Sequence, residues 1–206
     1  VITGVTQSSS GCLKITWSKG RNAQSYGIFR SSTTPDGVYT KIGTTTSTAY
    51  IDKTAYNNHI YYYKVKAYAN LGRESGYSKY SNAKSGYPMA APVIRYFNVN
   101  NETGVFMMSW SSVPGATDYR VYRSDGDNGT FNYIETVTGT SYTTEELDMT
   151  VSHGFRLIPQ RTVGSSTWYG INSPTKRGKS NNPVRYRALL IGEVGYTYGV
   201  SMPNNR

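Results

Sequence analysis

Apolar and polar positions alternate with a period of two in short runs along the chain. In Leu13–Trp17 (LKITW), Leu13, Ile15 and Trp17 share one face while Lys14 and Thr16 share the other; in Phe106–Trp110 (FMMSW), Phe106, Met108 and Trp110 do the same. That period predicts half-buried β-strands. Each run is followed by a second strand, YGIFRS from Tyr26 and YRVYRS from Tyr119. Tyr26 and Ile28, or Tyr119 and Val121, point one way among flanking arginines. In both places the tyrosine follows the tryptophan by nine residues (26 − 17 and 119 − 110). An indole on one strand and a phenol on the next suit two facing sheets, whose gap of about 10 Å large rings fill.

The rest of each copy keeps register. Gly37 and Tyr39 match Gly129 and Phe131, each pair after a turn-rich string (STTPDG, SDGDNG) that reads as a hairpin connection. Tyr50 matches Tyr142, Ala67 matches Pro159 and Tyr77 matches Tyr169, all 92 residues apart (142 − 50, 159 − 67, 169 − 77). A constant offset over several strands means two tandem copies of one domain.

Each copy resembles a fibronectin type III module. The resemblance rests on the early tryptophan, the YxVYR-like string and a late YxYxVxA strand, here Tyr61, Tyr63, Val65 and Ala67. It covers residues 1 to 178 and implies a seven-stranded sandwich in Greek-key order. The expected fold is all-β: two tandem immunoglobulin-like (fibronectin type III) β-sandwiches plus a C-terminal β-strand tail. Module 1 is placed at 1–87, a short and stiff linker with two prolines at 88–92, module 2 at 93–178, and a linker and strand at 179–206. In the second copy the late strand reads HGFRLIPQ, with His153 where Tyr61 falls and Pro159 where Ala67 falls. The tyrosine that pins this corner in the family is absent, and the proline predicts a bulged or edge strand.

Charge changes the picture more than composition does. The net charge of +10 is uneven: up to Pro88, eleven Lys and Arg face three acids; from Met89 to Gly178, seven face eight; from Lys179 on, four face one. Module 1 is a basic body able to concentrate anionic partners. Cell-wall glycan or another anionic polymer is the candidate. Nucleic acid is disfavoured, because Lys64 and Lys66 alternate with Tyr61, Tyr63 and Val65, which belong to the core rather than to a basic groove. No apolar stretch is long enough to span a bilayer, so no membrane insertion is expected, and no signal peptide stands at Val1. The reading places the chain in an extracellular or cell-surface bacterial protein, secreted or wall-attached, of which it is a part.

Candidate chemistry is sparse. Cys12 is the single cysteine, which rules out an intrachain disulfide and a cysteine metal site. Gly178-Lys179-Ser180 lacks the upstream glycine of a phosphate loop, and Asp125-Gly126-Asp127-Asn128-Gly129 breaks the carboxylate spacing of a calcium loop, leaving a hairpin turn. Asn101 and Asn128 head glycosylation acceptor triplets, relevant only in a source that glycosylates. His59 and His153 fall at nearly matching points of the repeats, expected in loops before the late strand and a module apart. No catalytic residue and no cofactor are expected. Tyr62, Tyr68 and Tyr122 fall on the outward phase of their strands, where rings beside Lys and Arg can contact a glycan or partner; cross-strand pairing explains them equally well.

The tail reads differently. In VRYRALLIGEVGY (Val184–Tyr196), Ala188–Ile191 is a continuous apolar run closed by Gly192, as in a strand buried on both faces. The segment 186–192 resembles the first strand of caspase-like (clan CD) cysteine peptidases. The resemblance implies a His–Cys dyad in polypeptide downstream, which docks on that strand, with Arg206 as a processing site. Two functions follow: a non-catalytic spacer, adhesion or substrate-presenting region, or the N-terminal portion of a caspase-like peptidase.

Overall fold

A computed structural model describes residues 1–180 except 9, 10, 57 and 73; the tail strand and Arg206 lie outside the described residues. Every element among the described residues is a β-strand. Module 1 holds β1 (Ile2–Gln7), β2 (Leu13–Trp17), β3 (Ser25–Ser31), β4 (Thr40–Thr45), β5 (Ala49–Asp52), β6 (Tyr61–Leu71), β7 (Glu74–Tyr77) and β8 (Lys84–Gly86). Module 2 holds β9 (Ile94–Val99), β10 (Val105–Trp110), β11 (Asp118–Asp125), β12 (Asn132–Val137), β13 (Ser141–Glu146), β14 (His153–Val163), β15 (Ser166–Tyr169) and β16 (Lys176–Gly178).

The sheets repeat as the sequence does. Orders β1-β2-β5 and β4-β3-β6-β7 in module 1 become β9-β10-β13 and β12-β11-β14-β15 in module 2, with β8 and β16 pairing β6 and β14. The chain changes sheet between β2 and β3, between β4 and β5, and again before β6, which makes each module a Greek-key sandwich of fibronectin type III-like arrangement. All pairings are antiparallel.

The alternating positions fill the two interiors as expected. Trp17 and Trp110 are buried, and each meets its tyrosine edge-on at 5.4 Å. The tyrosine hydroxyl accepts a loop amide in both modules, Gly20 N to Tyr26 at 3.0 Å and Val113 N to Tyr119 at 2.8 Å. Ring packing fixes the middle of the core, and the phenol tip ties the loop that enters its own strand.

Two local expectations give way. His153 begins β14 and is buried, whereas His59 lies exposed in the loop before β6, bonded through Nε2 to Ser32 O at 2.8 Å. Pro159 lies neither at an edge nor in a bulge: β14 runs between β11 and β15 and keeps unbroken register with β11. Module 1 explains how. There the outer edge of β6 is met by a strand split into β7 and β8, and serines bridge the gap: Ser78 Oγ accepts from Ala67 N at 3.0 Å and Ser81 Oγ from Val65 N at 3.0 Å. Module 2 keeps the second bridge, Leu157 N to Ser173 Oγ at 3.0 Å. At the first, Pro159 has no N–H to satisfy, and Gly170 replaces the serine while its own N still donates to Pro159 O at 2.8 Å. A Cβ on Gly170 would fall 2.7 Å from both Pro159 Cγ and Met89 Cβ. The proline and the glycine are one paired change.

Between β8 and β9 the chain does not hang free. Tyr87 and Met89 are buried in the core cluster of module 2. Tyr87 is held from both sides: Gln7 Nε2 donates to its carbonyl at 3.0 Å, its hydroxyl donates to Asn58 Oδ1 at 2.6 Å, and the Arg161 guanidinium lies 4.8 Å from its ring centre.

Candidate functional site: the outer sheet face of module 1

Strand phase decides which side chains leave the core. On β6, Tyr61, Tyr63 and Val65 point inward, so Tyr62, Lys64, Lys66 and Tyr68 point out. On β3, Tyr26 and Ile28 point inward and Phe29, paired with Lys64, points out. Tyr39, ahead of β4, and Tyr80, between β7 and β8, close over this face. Phe29 meets Tyr80 edge-on at 5.0 Å, and Tyr39 lies 6.2 Å from Tyr80.

The lysines sit on these rings. Lys66 Nζ lies 4.0 Å from the centre of Tyr80, and Lys64 Nζ 4.4 Å from that of Tyr39. Lys41 Nζ lies 5.5 Å from Tyr77, donates to its hydroxyl at 3.4 Å, and Tyr77 in turn packs on Tyr68 at 5.1 Å. Ring faces attract cations by about 0.5–1 kcal/mol at exposed sites, enough to bias where three flexible ammonium groups rest. Among the described residues no carboxylate pairs with Lys41, Lys64 or Lys66. Burial, then Asp36, pushes the Tyr39 phenol above its ordinary value, so it stays a neutral hydroxyl. The face is a cationic, aromatic platform whose three lysines make no ion pair among the described residues.

Module 2 builds its counterpart around arginine. The Arg120 guanidinium lies 4.4 Å from Tyr133, 5.4 Å from Tyr169 and 5.6 Å from Tyr122, and Arg156 lies 4.0 Å from Phe131. The three tyrosines singled out in the sequence therefore part company. Tyr68 borders the module 1 platform, Tyr122 belongs to the module 2 cluster, and Tyr62 turns toward the junction of the modules. Phe29, Tyr39 and Tyr80 were not singled out. The phase of SYGIFR carries the signal for Phe29; Tyr39 and Tyr80 lie outside strands, where alternation says nothing.

The remaining motifs are structural. The string from Asp125 to Gly129 turns between β11 and β12. Asp125 pairs with Arg123 at 3.0 Å and with His153 Nδ1 at 2.7 Å, and Asp127 accepts from Ser152 Oγ. His153 Nε2 faces Asp148 O at 2.8 Å. Ser180 is buried, its Oγ donating to Asn101 O at 3.2 Å. Among the described residues no helix is long and apolar enough to cross a membrane.

No family model matches the chain. A stretch of 86 residues, 41% of the chain, is 35% identical to the amylopullulanase of Thermoanaerobacterium thermosulfurigenes and spans 5% of that protein. The solved structure of the FN1–FN3 domains of chicken CNTN1 matches 86% of this chain and 65% of its own with a TM-score of 0.42 and 16% identity. The fold class rests on the strand order and register described above: two tandem fibronectin type III-like sandwiches.

Proposed function

We propose that residues 1–87 and 93–178, joined by 88–92, form a non-catalytic spacer and adhesion region of a larger secreted or cell-surface protein, and that module 1 carries its contact surface. The observation behind this reading is the platform of Lys41, Lys64 and Lys66 over Tyr77, Tyr39 and Tyr80, in which none of the three lysines is ion-paired among the described residues. The +8 balance of that module draws polyanions in. Alternate positions on β6 set the Cα atoms of Lys64 and Lys66 about 7 Å apart along the strand, so both ammonium groups are carried on one side of the sheet. The fitting partner is an anionic wall polymer or glycan, with Tyr68 at the border of the platform and Tyr122, in the arginine cluster of module 2, as a separate contact. The amylopullulanase relative, by its name an enzyme of polysaccharides, agrees with a carbohydrate-rich setting.

Affinity electrophoresis through gels containing polygalacturonate tests the reading. The chain is expected to be retarded there and not in neutral dextran, and Lys64→Ala with Lys66→Ala to abolish most of the retardation. Equal retardation of the double variant would remove the platform from the reading.

The string Arg187–Gly192 favours a second reading, the N-terminal part of a caspase-like peptidase. It lies outside the described residues, and neither module supplies a dyad to it. Cleavage of an arginyl peptide by the purified chain would overturn the spacer reading.

A further inference from the structure

A groove runs across the junction of the two modules, on the side of β1 and β8. It consists of two adjoining cavities, about 290 and 540 Å³, that share Val5, Thr6, Thr167 and Trp168. Ligand sites favour such inter-domain positions and volumes of about 300–1,000 Å³. Its walls come from both modules. Tyr62, Ser85 and Thr6 stand on one side, Trp168 and Thr167 on the other, and Tyr87 at one end.

Three features of this lining point to one chemistry. First, it offers rings: Trp168 is half-buried against Tyr87 (centroids 6.3 Å apart) and still lines both cavities, and Tyr62 faces it across the larger one. Trp168 is only half-buried, and its indole N–H can only donate, which suits an acceptor entering the groove. Second, the polar side chains other than the lysine are uncharged: the hydroxyls of Thr6, Ser85, Ser166 and Thr167, and the amide of Gln7, whose Oε1 is buried without a partner among the described residues. Third, no acidic side chain lines the groove, and its one basic side chain, Lys84, donates to Thr3 O at 3.0 Å. A cationic ligand finds no countercharge here, and an anionic one finds a single ammonium group already bonded to a backbone carbonyl. A ligand with flat C–H faces and many hydroxyls finds stacking surface and matched donors and acceptors.

We infer that the inter-module groove is a binding site for an uncharged oligosaccharide chain, with Trp168 and Tyr62 as the stacking residues. The site is held open by the pinned linker. Gln7, Asn58 and Arg161 fix Tyr87 from both modules, so the two walls keep their separation without a ligand. The pre-formed geometry spares the ordering cost that a hinge would impose on binding. This site is separate from the charged platform and answers to a different variable. Its binding resists salt, whereas binding through lysines fades in about 0.5 M NaCl, where the Debye length is only a few ångströms.

The test titrates the full chain with neutral oligosaccharides (maltoheptaose, cellohexaose and xylohexaose), reading tryptophan fluorescence and calorimetry in low and high salt. At least one is expected to bind with little dependence on salt. Trp168→Ala should weaken it roughly tenfold or more, and Trp168→Phe much less, since stacking survives in the smaller ring. Thr6→Arg supplies the check against misfolding, because Thr6 is an exposed position on β1 and a long side chain there obstructs the groove without touching either core. It should abolish binding with unchanged thermal stability. Absence of binding to every probe, or binding untouched by Trp168→Ala and Thr6→Arg, overturns the inference. So does binding that disappears in high salt, which would move the contact to the platform.

Discussion

The two modules share a backbone plan and the Trp–Tyr centre, yet they fill the end of the sandwich beside β5 or β13 with opposite chemistry. In module 1, Asp52 is 2% exposed and sits in a cage of donors: Tyr63 Oη at 2.8 Å, Arg30 Nη1 at 2.8 Å, and Thr54 N and Oγ1 at 2.9 and 2.8 Å. In module 2 the same places hold Thr144, for Asp52, and Phe155, for Tyr63 (both 92 residues on). Phe155 packs with Phe106 at 5.4 Å and Phe97 at 5.9 Å, and Thr144 merely accepts from Phe106 N at 2.9 Å and donates to Glu145 O at 2.6 Å. One fold tolerates a charged network or an aromatic cluster at one point, provided each is complete. A half-built network would be worse than either.

The largest effect is therefore expected from halving the network in module 1. Asp52→Ala leaves the Tyr63 hydroxyl and the partly buried Arg30 without their acceptor. Loss of one member of a buried pair costs about 3–5 kcal/mol; the 22% exposure of Arg30 argues for the lower end. Thr144→Ala, at the matching place, should cost about 1–2 kcal/mol, one neutral hydrogen bond and an unpaired amide. Urea unfolding of the two variants, followed through the tryptophan signal, reads both numbers. Equal losses would mean that the charge network adds nothing beyond a single hydroxyl.

Next in size is the exchange of the ring partners. Tyr63→Phe removes one hydrogen bond to a carboxylate, about 1.5–3 kcal/mol, and Phe155→Tyr buries a hydroxyl with no carboxylate opposite, about 1–3 kcal/mol. The sharper experiment adds Thr144→Asp to Phe155→Tyr. Arg123 stands in module 2 where Arg30 stands in module 1, so the double variant rebuilds the network and should be more stable than the two single losses sum to. Simple additivity would show that Arg123, engaged with Asp125 at 3.0 Å, cannot be recruited.

These contrasts mark what a sequence shows. The Trp–Tyr phrase, the sheet membership of its strands and the duplication were legible, because period and offset are properties of the chain in order. Asp52 was not. In AYID it reads as a polar strand end, and its partners Arg30 and Tyr63 come from two other strands of the opposite sheet. Pro159 misled for a related reason: a missing donor matters only if something faces it, and what faces it is set by Gly170 on a different strand. The platform was half visible, as lysines out of phase with core tyrosines, while Tyr39 and Tyr80 reach it from irregular segments. The groove needs both modules at once, and no single stretch contains it.

The network also separates the modules by pH. Burial alone would push the Asp52 carboxyl up, but the bonds from Thr54, Tyr63 and Arg30 outweigh it and hold it below its ordinary value of 3.8. A carboxyl depressed in the folded state contributes stability that is complete above its unfolded value, and the contribution is lost as pH falls through the folded one. Module 1 should thus weaken below about pH 3.8 in a way that Asp52→Asn removes. Module 2 has one comparable group, Asp148, held low by the Thr150 hydroxyl and amide, and its exposure screens most of the effect. Acid titration of the two modules, each with its own tryptophan signal, should show module 1 losing stability first. The reverse order would place the acid-sensitive group outside the Asp52 cage.

The smallest contrast lies at Pro159 and Gly170. Gly170→Ser restores the residue of module 1, but its Cβ meets Pro159 and Met89 at 2.7 Å, and overpacking of that kind costs about 1–3 kcal/mol. Pro159→Ala restores an N–H that has no acceptor while residue 170 is glycine, at about 1–3 kcal/mol. Together they re-create the serine bridge that Ala67 and Ser78 make at 3.0 Å in module 1, and they remove the ring from the serine's path. The double variant should recover part of the combined loss but not all, since Met89 still crowds position 170 from the linker. Full recovery would mean that Met89 moves freely and that the linker is not fixed at this point. That would loosen the far wall of the inter-module groove as well, because Trp168 stands two residues before Gly170 on the same edge.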